Sequence, residues 1–143
     1  MSRCTFTFSA NTGGALTLGP ARVWYDALHH QKVPPFSTLS PALLAQVEQS
    51  QAFAAPDVIF HSHCHPDHFS RTLVAAALER WPRTRVFLPE PQLPGQTLLK
   101  GETLSFSAAG FHLRFCRLPH EGAQYAHVPT TAACCGTGTI GCC

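Results

Sequence analysis

Apolar and polar side chains take turns through "CTFTFSAN", residues 4–11, which is the period of a strand with one face buried. "GGALTLG" and "ARVWYDALH" follow after short turns containing glycine and proline, so the chain is expected to open with a small antiparallel meander. "HHQKVPPFSTL" reads as a loop, because Pro34 and Pro35 in series continue neither a helix nor a strand. "SPALLAQVEQSQAF" then carries helix signals: Ser40 as N-cap, Pro41 at the first helical position, and Leu43, Leu44 and Val47 on one face.

The pattern then alternates between the two periods. "PDVIF" is a short apolar run of the kind found in buried strands. "FSRTLVAAALERW" is helical, with Leu73, Val74, Ala77, Leu78 and Trp81 as an inward stripe and Pro82 as its stop. "TRVFLP" predicts another strand, and "ETLSFSAAGFHLRFCRLP" predicts a hairpin turning at Ala108, Ala109 and Gly110. "GAQYAHVPTTA" has room for one more strand. Strands alternating with helices and followed by a hairpin make an α/β layout, helices packed on a mixed sheet. No internal repeat is present.

Length and charge narrow the function. The chain has 143 residues, enough for one domain with a real core; 45% are hydrophobic, 13% are charged, and the net charge is +2. No Lys/Arg cluster occurs, so the composition speaks against a nucleic-acid partner. No apolar run approaches the ~18 residues that span a bilayer, and the start does not read as a secretory signal. A cytoplasmic enzyme or binding domain acting on a small molecule, with no membrane partner, is the expectation.

The candidate chemistry sits in "VIFHSHCHPDHFS". His61, His63, His65, Asp67 and His68 crowd one short segment directly behind the apolar strand. In extended backbone, residues two apart point the same way, so His63 and His65 can grip one ion together. Asp67 and His68, at the turn into the next helix, can reach a neighbouring position, and Pro66 stiffens the loop. A divalent metal such as zinc takes imidazole nitrogen and carboxylate oxygen at about 2.0 to 2.2 Å, and catalytic sites leave one position for water. The bland alternative is a solvated histidine-rich loop. The ordered spacing His-x-His-x-Asp-His between a strand and a helix favours metal.

"HCHPDH", residues 63–68, resembles the HxHxDH signature of the metallo-β-lactamase superfamily of metal-dependent hydrolases. "CRLPHEG", with His120 after the second hairpin strand, resembles that family's next metal-binding motif, and the opening strands ending in Asp26 resemble its first meander. The resemblance covers about residues 4–130. It implies an αββα sandwich, here its N-terminal half plus the start of the second. It also implies that His63, His65 and His120 bind a first ion and that Asp67 and His68 contribute to a second. Zinc is the implied cofactor, one or two ions, with iron and manganese also accepted in the family. Metal-bound hydroxide would attack an ester, lactone, thioester, amide or phosphodiester, with Asp67 as the catalytic residue that orients the water or manages its proton. His61 is expected to support the site or the core. His29, His30, His112 and His127 match no ligand position, and Cys64, between two ligands, should point away from the ion.

The chain also departs from the family. No aspartate follows Asp67 and no histidine follows His127, so the second half's bridging aspartate and last histidine are missing. Three protein ligands and water suffice for catalytic zinc, so a mononuclear site stands as one reading. A non-catalytic metal-binding module that lost turnover is the alternative. Half a sandwich would leave a sheet face that a homodimer could cover. The hydrolase domain is expected to span residues 1–130. Residues 131–143, "TAACCGTGTIGCC", carry no charge and no apolar period, and are expected to be disordered or the aberrant end of a longer hydrolase. Their cysteines, Cys134, Cys135, Cys142 and Cys143, lack the C-x2-C spacing of a metal site, though a thiol-based redox role is a further reading.

Overall fold

The computed structural model describes residues 4–100, 103–108 and 111–136. Its first sheet starts with the expected meander: β1 (Cys4–Phe8), β2 (Gly14–Leu18) and β3 (Ala21–Tyr25), paired antiparallel. The chain then crosses through helix α1 (Pro41–Gln49) and a 3-10 turn (Gln51–Phe53) to β4 (Val58–Phe60), which lies parallel to β3. Helix α2 (Arg71–Arg80) leads to β5 (Arg85–Leu88), and a two-residue strand, β6 (Thr97–Leu98), closes the order β1-β2-β3-β4-β5-β6. A second sheet holds β7 (Thr103–Ala108), β8 (Phe111–Leu118) and β9 (Thr130–Gly136), all antiparallel.

Both helices start where serine can cap them. Ser40 accepts from Leu43 N–H at 3.2 Å and Ser70 accepts from Leu73 N–H at 3.4 Å, each satisfying an orphan donor of the first turn. Val47 of α1 and Val74 and Ala77 of α2 are buried on the first sheet, and Leu43, Leu44, Leu73, Leu78 and Trp81 pack partly buried around them. Among the described residues no helix is long and apolar enough to cross a membrane.

The central strands are apolar on both faces because both are covered. Ile59, Val86 and Leu88 point to the helices, in a cluster with Trp24 and Phe53. Their neighbours Val58, Phe60 and Phe87 point the other way, onto Leu113 and Phe115 of the second sheet. Phe60 lies 4.9 Å from Phe115, ring centre to ring centre, and Phe87 stacks on Phe115 at 5.0 Å. The layers therefore run helices, sheet, sheet. Among the described residues no helix covers the outside of the second sheet, which matches the front half of an αββα sandwich and the start of its second half.

Three expectations need correction. β1 is exposed throughout rather than half-buried. Its register puts Phe6 opposite Leu16 and Leu16 opposite Val23, on the side that faces the second sheet, but among the described residues that sheet does not cover the edge strand. Phe6 and Phe8 stay 54% and 59% exposed. β6 was not expected at all, since two residues carry no readable period. Finally, composition does not end the fold at residue 130: Thr130–Gly136 form β9, paired along its length with β8, whose buried Leu113 and Phe115 supply the packing that β9's small residues lack. Residues 137–143, including Cys142 and Cys143, lie outside the described residues.

Candidate metal centre

Parallel pairing of β3 and β4 brings Asp26 and the segment 61–68 out at the same sheet end, where open α/β sheets gather ligands. Asp26 N–H donates to Phe60 O at 3.0 Å, and the residue holds a left-handed φ of 43°. That conformation disfavours a non-glycine residue, and here it is fixed by what the side chain does. The carboxylate is buried. Its Oδ1 accepts from Ser62 N–H at 2.7 Å, and Oδ2 accepts from the Ser62 hydroxyl at 2.6 Å and from His68 Nδ1 at 2.8 Å. His61 Nδ1 sits 3.7 Å from Oδ1 and donates to the His68 carbonyl at 2.7 Å. Burial pushes the Asp26 pKa up, but the bonds from His68 and Ser62 and the nearby His61 outweigh it, leaving it below the ordinary carboxylate value.

The loop between β1 and β2 packs against the Asp26 backbone. A Cβ on Gly13 would lie 2.1 Å from the Asp26 carbonyl oxygen, so only glycine allows the approach. From the same loop Asn11 Nδ2 donates to the Asp67 carbonyl at 3.0 Å, and Thr12 Oγ1 lies 3.3 Å from His68 Nδ1.

Hydrogen bonding decides which ring nitrogens are available. The Ser62 hydroxyl gives its only proton to Asp26, so toward His63 Nδ1, 2.9 Å away, it can only accept. His63 therefore carries its proton on Nδ1, and Nε2 keeps a lone pair. His120 Nδ1 faces the Glu121 carbonyl at 2.9 Å, an acceptor, with the same result. Burial and the neighbouring His68 push the His63 pKa down to about 4, and burial and His120 push that of His65 down, so both are neutral bases at pH 7.

Ligand-capable atoms of His63, His65 and His120 all lie within 4.8 Å of one another. Ring centres of His63 and His120 are 4.9 Å apart, and those of His65 and His120 are 5.0 Å apart. Three imidazoles this close could hold one ion, and this donor set fits a divalent metal. His63, Asp67 and His68 form a second group within the same distance, with Asp67 Oδ2 3.4 Å from His68 Nε2. His63 belongs to both groups, yet its Nδ1 is taken by Ser62. Its one free nitrogen can serve one ion at a time.

The remaining histidines belong to neither donor group. His29 is buried between the Ala10 carbonyl and Thr38 Oγ1, His61 is buried against Phe69, and His30 and His127 are exposed. Cys64 turns from the imidazoles and packs on the cluster around Trp24, where burial and then Glu90 push its thiol up to about 12. The resemblance marked Asp26 only as a strand end and passed over Ser62 and Tyr125. Tyr125, on the 3-10 turn Ala123–Tyr125, lies 5.4 Å from the His65 ring and 5.1 Å from that of His120. A carboxylate placed directly after an apolar strand was the available signal for Asp26; nothing in the sequence marked Tyr125.

These donors open into a cleft of about 890 Å³. CmlA, a diiron β-hydroxylase from Streptomyces venezuelae, shares the fold with a TM-score of 0.61 at 12% identity, over 97% of this chain and 28% of that one. YhfI, a metallo-β-lactamase fold protein from Bacillus subtilis, gives a TM-score of 0.57 at 14% identity, over 91% of this chain and 52% of that one. The chain thus has the metallo-β-lactamase fold while spanning well under two thirds of either neighbour. No protein-family model matches it, and no curated protein matches its sequence.

Proposed function

We propose that the chain carries the metal-binding part of a metal-dependent hydrolase, with His63, His65 and His120 holding the principal ion and Asp67 and His68 contributing to a second position. The observation that supports this best is the pair of Nδ1 bonds, His63 to Ser62 and His120 to Glu121, which leave Nε2 of both rings bare beside His65. Such bonds fix the tautomer and orientation of metal-ligating imidazoles. A bound divalent ion would supply Lewis acidity, polarising a scissile bond and making water acidic near neutral pH.

The chain's own residues account for the rest. Asp26 carries the negative charge that Ser62 and His68 lean on, and so orients both the principal donor set and the second pair. Asp67, mostly buried and 3.4 Å from His68 Nε2, is the group to orient water or take its proton. Tyr25, pushed up to about 12 by burial and by Asp26, stays a neutral phenol in the cleft wall. Zinc is the proposed ion. Iron and manganese suit the same ligands, and CmlA, with the same fold, is a diiron protein. The thiols of Cys4, Cys64 and Cys116 suit a reducing compartment, which supports a cytoplasmic setting. A second copy of the chain could cover Phe6 and Phe8.

Mass-spectrometric metal content of purified protein, read beside hydrolysis of a chromogenic phosphodiester and a lactone, tests the proposal. Near-stoichiometric metal that is lost in His63→Ala, together with turnover, is the expected result. Metal without turnover would favour a binding module, and folded protein without metal would defeat both readings.

A further inference from the structure

We propose that the cleft selects an uncharged acyl compound with an aliphatic or aromatic tail, an ester, lactone or amide, and discriminates against phosphodiesters. This rests on the hydrolase reading above and narrows it to one substrate class. Phe6, Phe8, Phe36, Leu118 and Tyr125 are the large apolar residues exposed among the described ones. The first two lie on edge strand β1. The other three, 50%, 46% and 40% exposed, all line the cleft that holds His63, His65 and His120.

They come from three separate places in the fold: the loop after β3, the end of β8, and the 3-10 turn beyond it. Exposed apolar side chains scattered singly over a surface need no explanation; three that converge on one cleft form a wall for an apolar ligand. Val33 extends that wall beside Phe36.

Charge points the same way. Among the described residues no lysine or arginine lines the cleft, and its acidic side chains are Asp67 and Glu121. Phosphate oxygens are ordinarily recognised by charge-assisted donors, Arg above all. Beyond the metal position itself, which either substrate would reach, they would meet two carboxylates, neutral polar groups and an apolar wall. A neutral acyl group needs no such donors. In its hydrolysis the water oxygen bonds to the acyl carbon, the C–O or C–N bond breaks, one water proton leaves on the alcohol or amine, and the acid is released. The apolar wall accepts the tail, and each methylene it buries strengthens binding by up to about fourfold.

The test uses the full chain loaded with zinc and has two readouts. Calorimetry compares octanamide, acetamide and dibutyl phosphate. Kinetics compares 4-nitrophenyl esters from acetate to octanoate with bis(4-nitrophenyl) phosphate. Octanamide should bind at least tenfold tighter than acetamide and tighter than dibutyl phosphate, and KM should fall with ester length. Phe36→Ala combined with Leu118→Ala, both exposed and so of little consequence for folding, should flatten that dependence. Tighter binding of dibutyl phosphate, a higher kcat/KM for the phosphodiester, or equal binding of the two amides overturns the inference and leaves the hydrolase reading standing. The expected binding preference with no hydrolysis of any probe supports the cleft's chemistry and removes the hydrolase reading.

Discussion

Ser62 Oγ stands 2.6 Å from Asp26 Oδ2 and 2.9 Å from His63 Nδ1, so a single hydroxyl decides which nitrogen of His63 faces the cleft. Ser62→Ala removes that decision without touching a proposed ligand. Metal affinity is expected to drop by about 10- to 100-fold, the usual cost of losing a bond that orients a ligating imidazole. Competition with a chromophoric chelator measures it, and an affinity equal to wild type would remove Ser62 from the account.

Asp26 is the larger lever. Asp26→Ala leaves the Ser62 N–H, the Ser62 hydroxyl and His68 Nδ1 without their acceptor, and destabilisation of about 3 to 5 kcal/mol is expected from losing a buried charged partner. Asp26→Asn should lie in between, because one oxygen remains but the amide nitrogen confronts donors. Urea midpoints of the three proteins, metal removed, give the ranking directly.

His120 is the donor farthest in sequence from the cluster, and it reaches His63 only through β8. Its replacement by alanine should reduce bound metal to a fraction of wild type, whereas the exposed His127, altered in the same way, should leave metal content intact. Equal metal content in the two variants would place the ion elsewhere.

The buried imidazoles make the metal-free protein acid-sensitive. His63 is held at about 4 against an ordinary 6.5. As pH falls, the unfolded chain takes up the proton first, so the native state loses stability from about pH 6.5 down to about pH 4 and keeps it in full above that range. His61 and His29, also lowered by burial, add with the same sign. With chelator present, the thermal midpoint should decline through this window and less steeply in His63→Gln; a midpoint level between pH 8 and 5 would contradict it.

Cys64 lies between two imidazoles in sequence but is raised to about 12 by burial and Glu90, so at pH 8 only about one molecule in ten thousand carries its thiolate. Iodoacetamide should label the exposed Cys4 far faster than Cys64, as peptide mass spectrometry would show.

Much of this architecture is readable from residues that act locally. Ser40–Pro41 announces a helix start because a cap needs only its own first turn, whereas the Ser70 cap emerges only in the structure. Val58–Phe60 reads as a buried strand because both faces meet apolar layers. What escapes is whatever depends on partners distant in the chain. β1 has the alternation of a half-buried strand, yet burial depends on a sheet formed a hundred residues later. β9 has almost no apolar period because Leu113 and Phe115 supply its packing. His63 and His65 are legible as a pair from spacing alone, whereas the approach of His120 rested on resemblance. Asp26 acts through Ser62 and His68, which no window of sequence shows together.

One backbone bond carries a mechanical consequence. Thr131 N–H donates to the Ser62 carbonyl at 2.8 Å, so β9 is stitched to the segment that carries the imidazoles. Fraying of that strand therefore tugs on the carboxylate cage itself, and amide protons on both sides of the seam should exchange with solvent as a single cooperative unit.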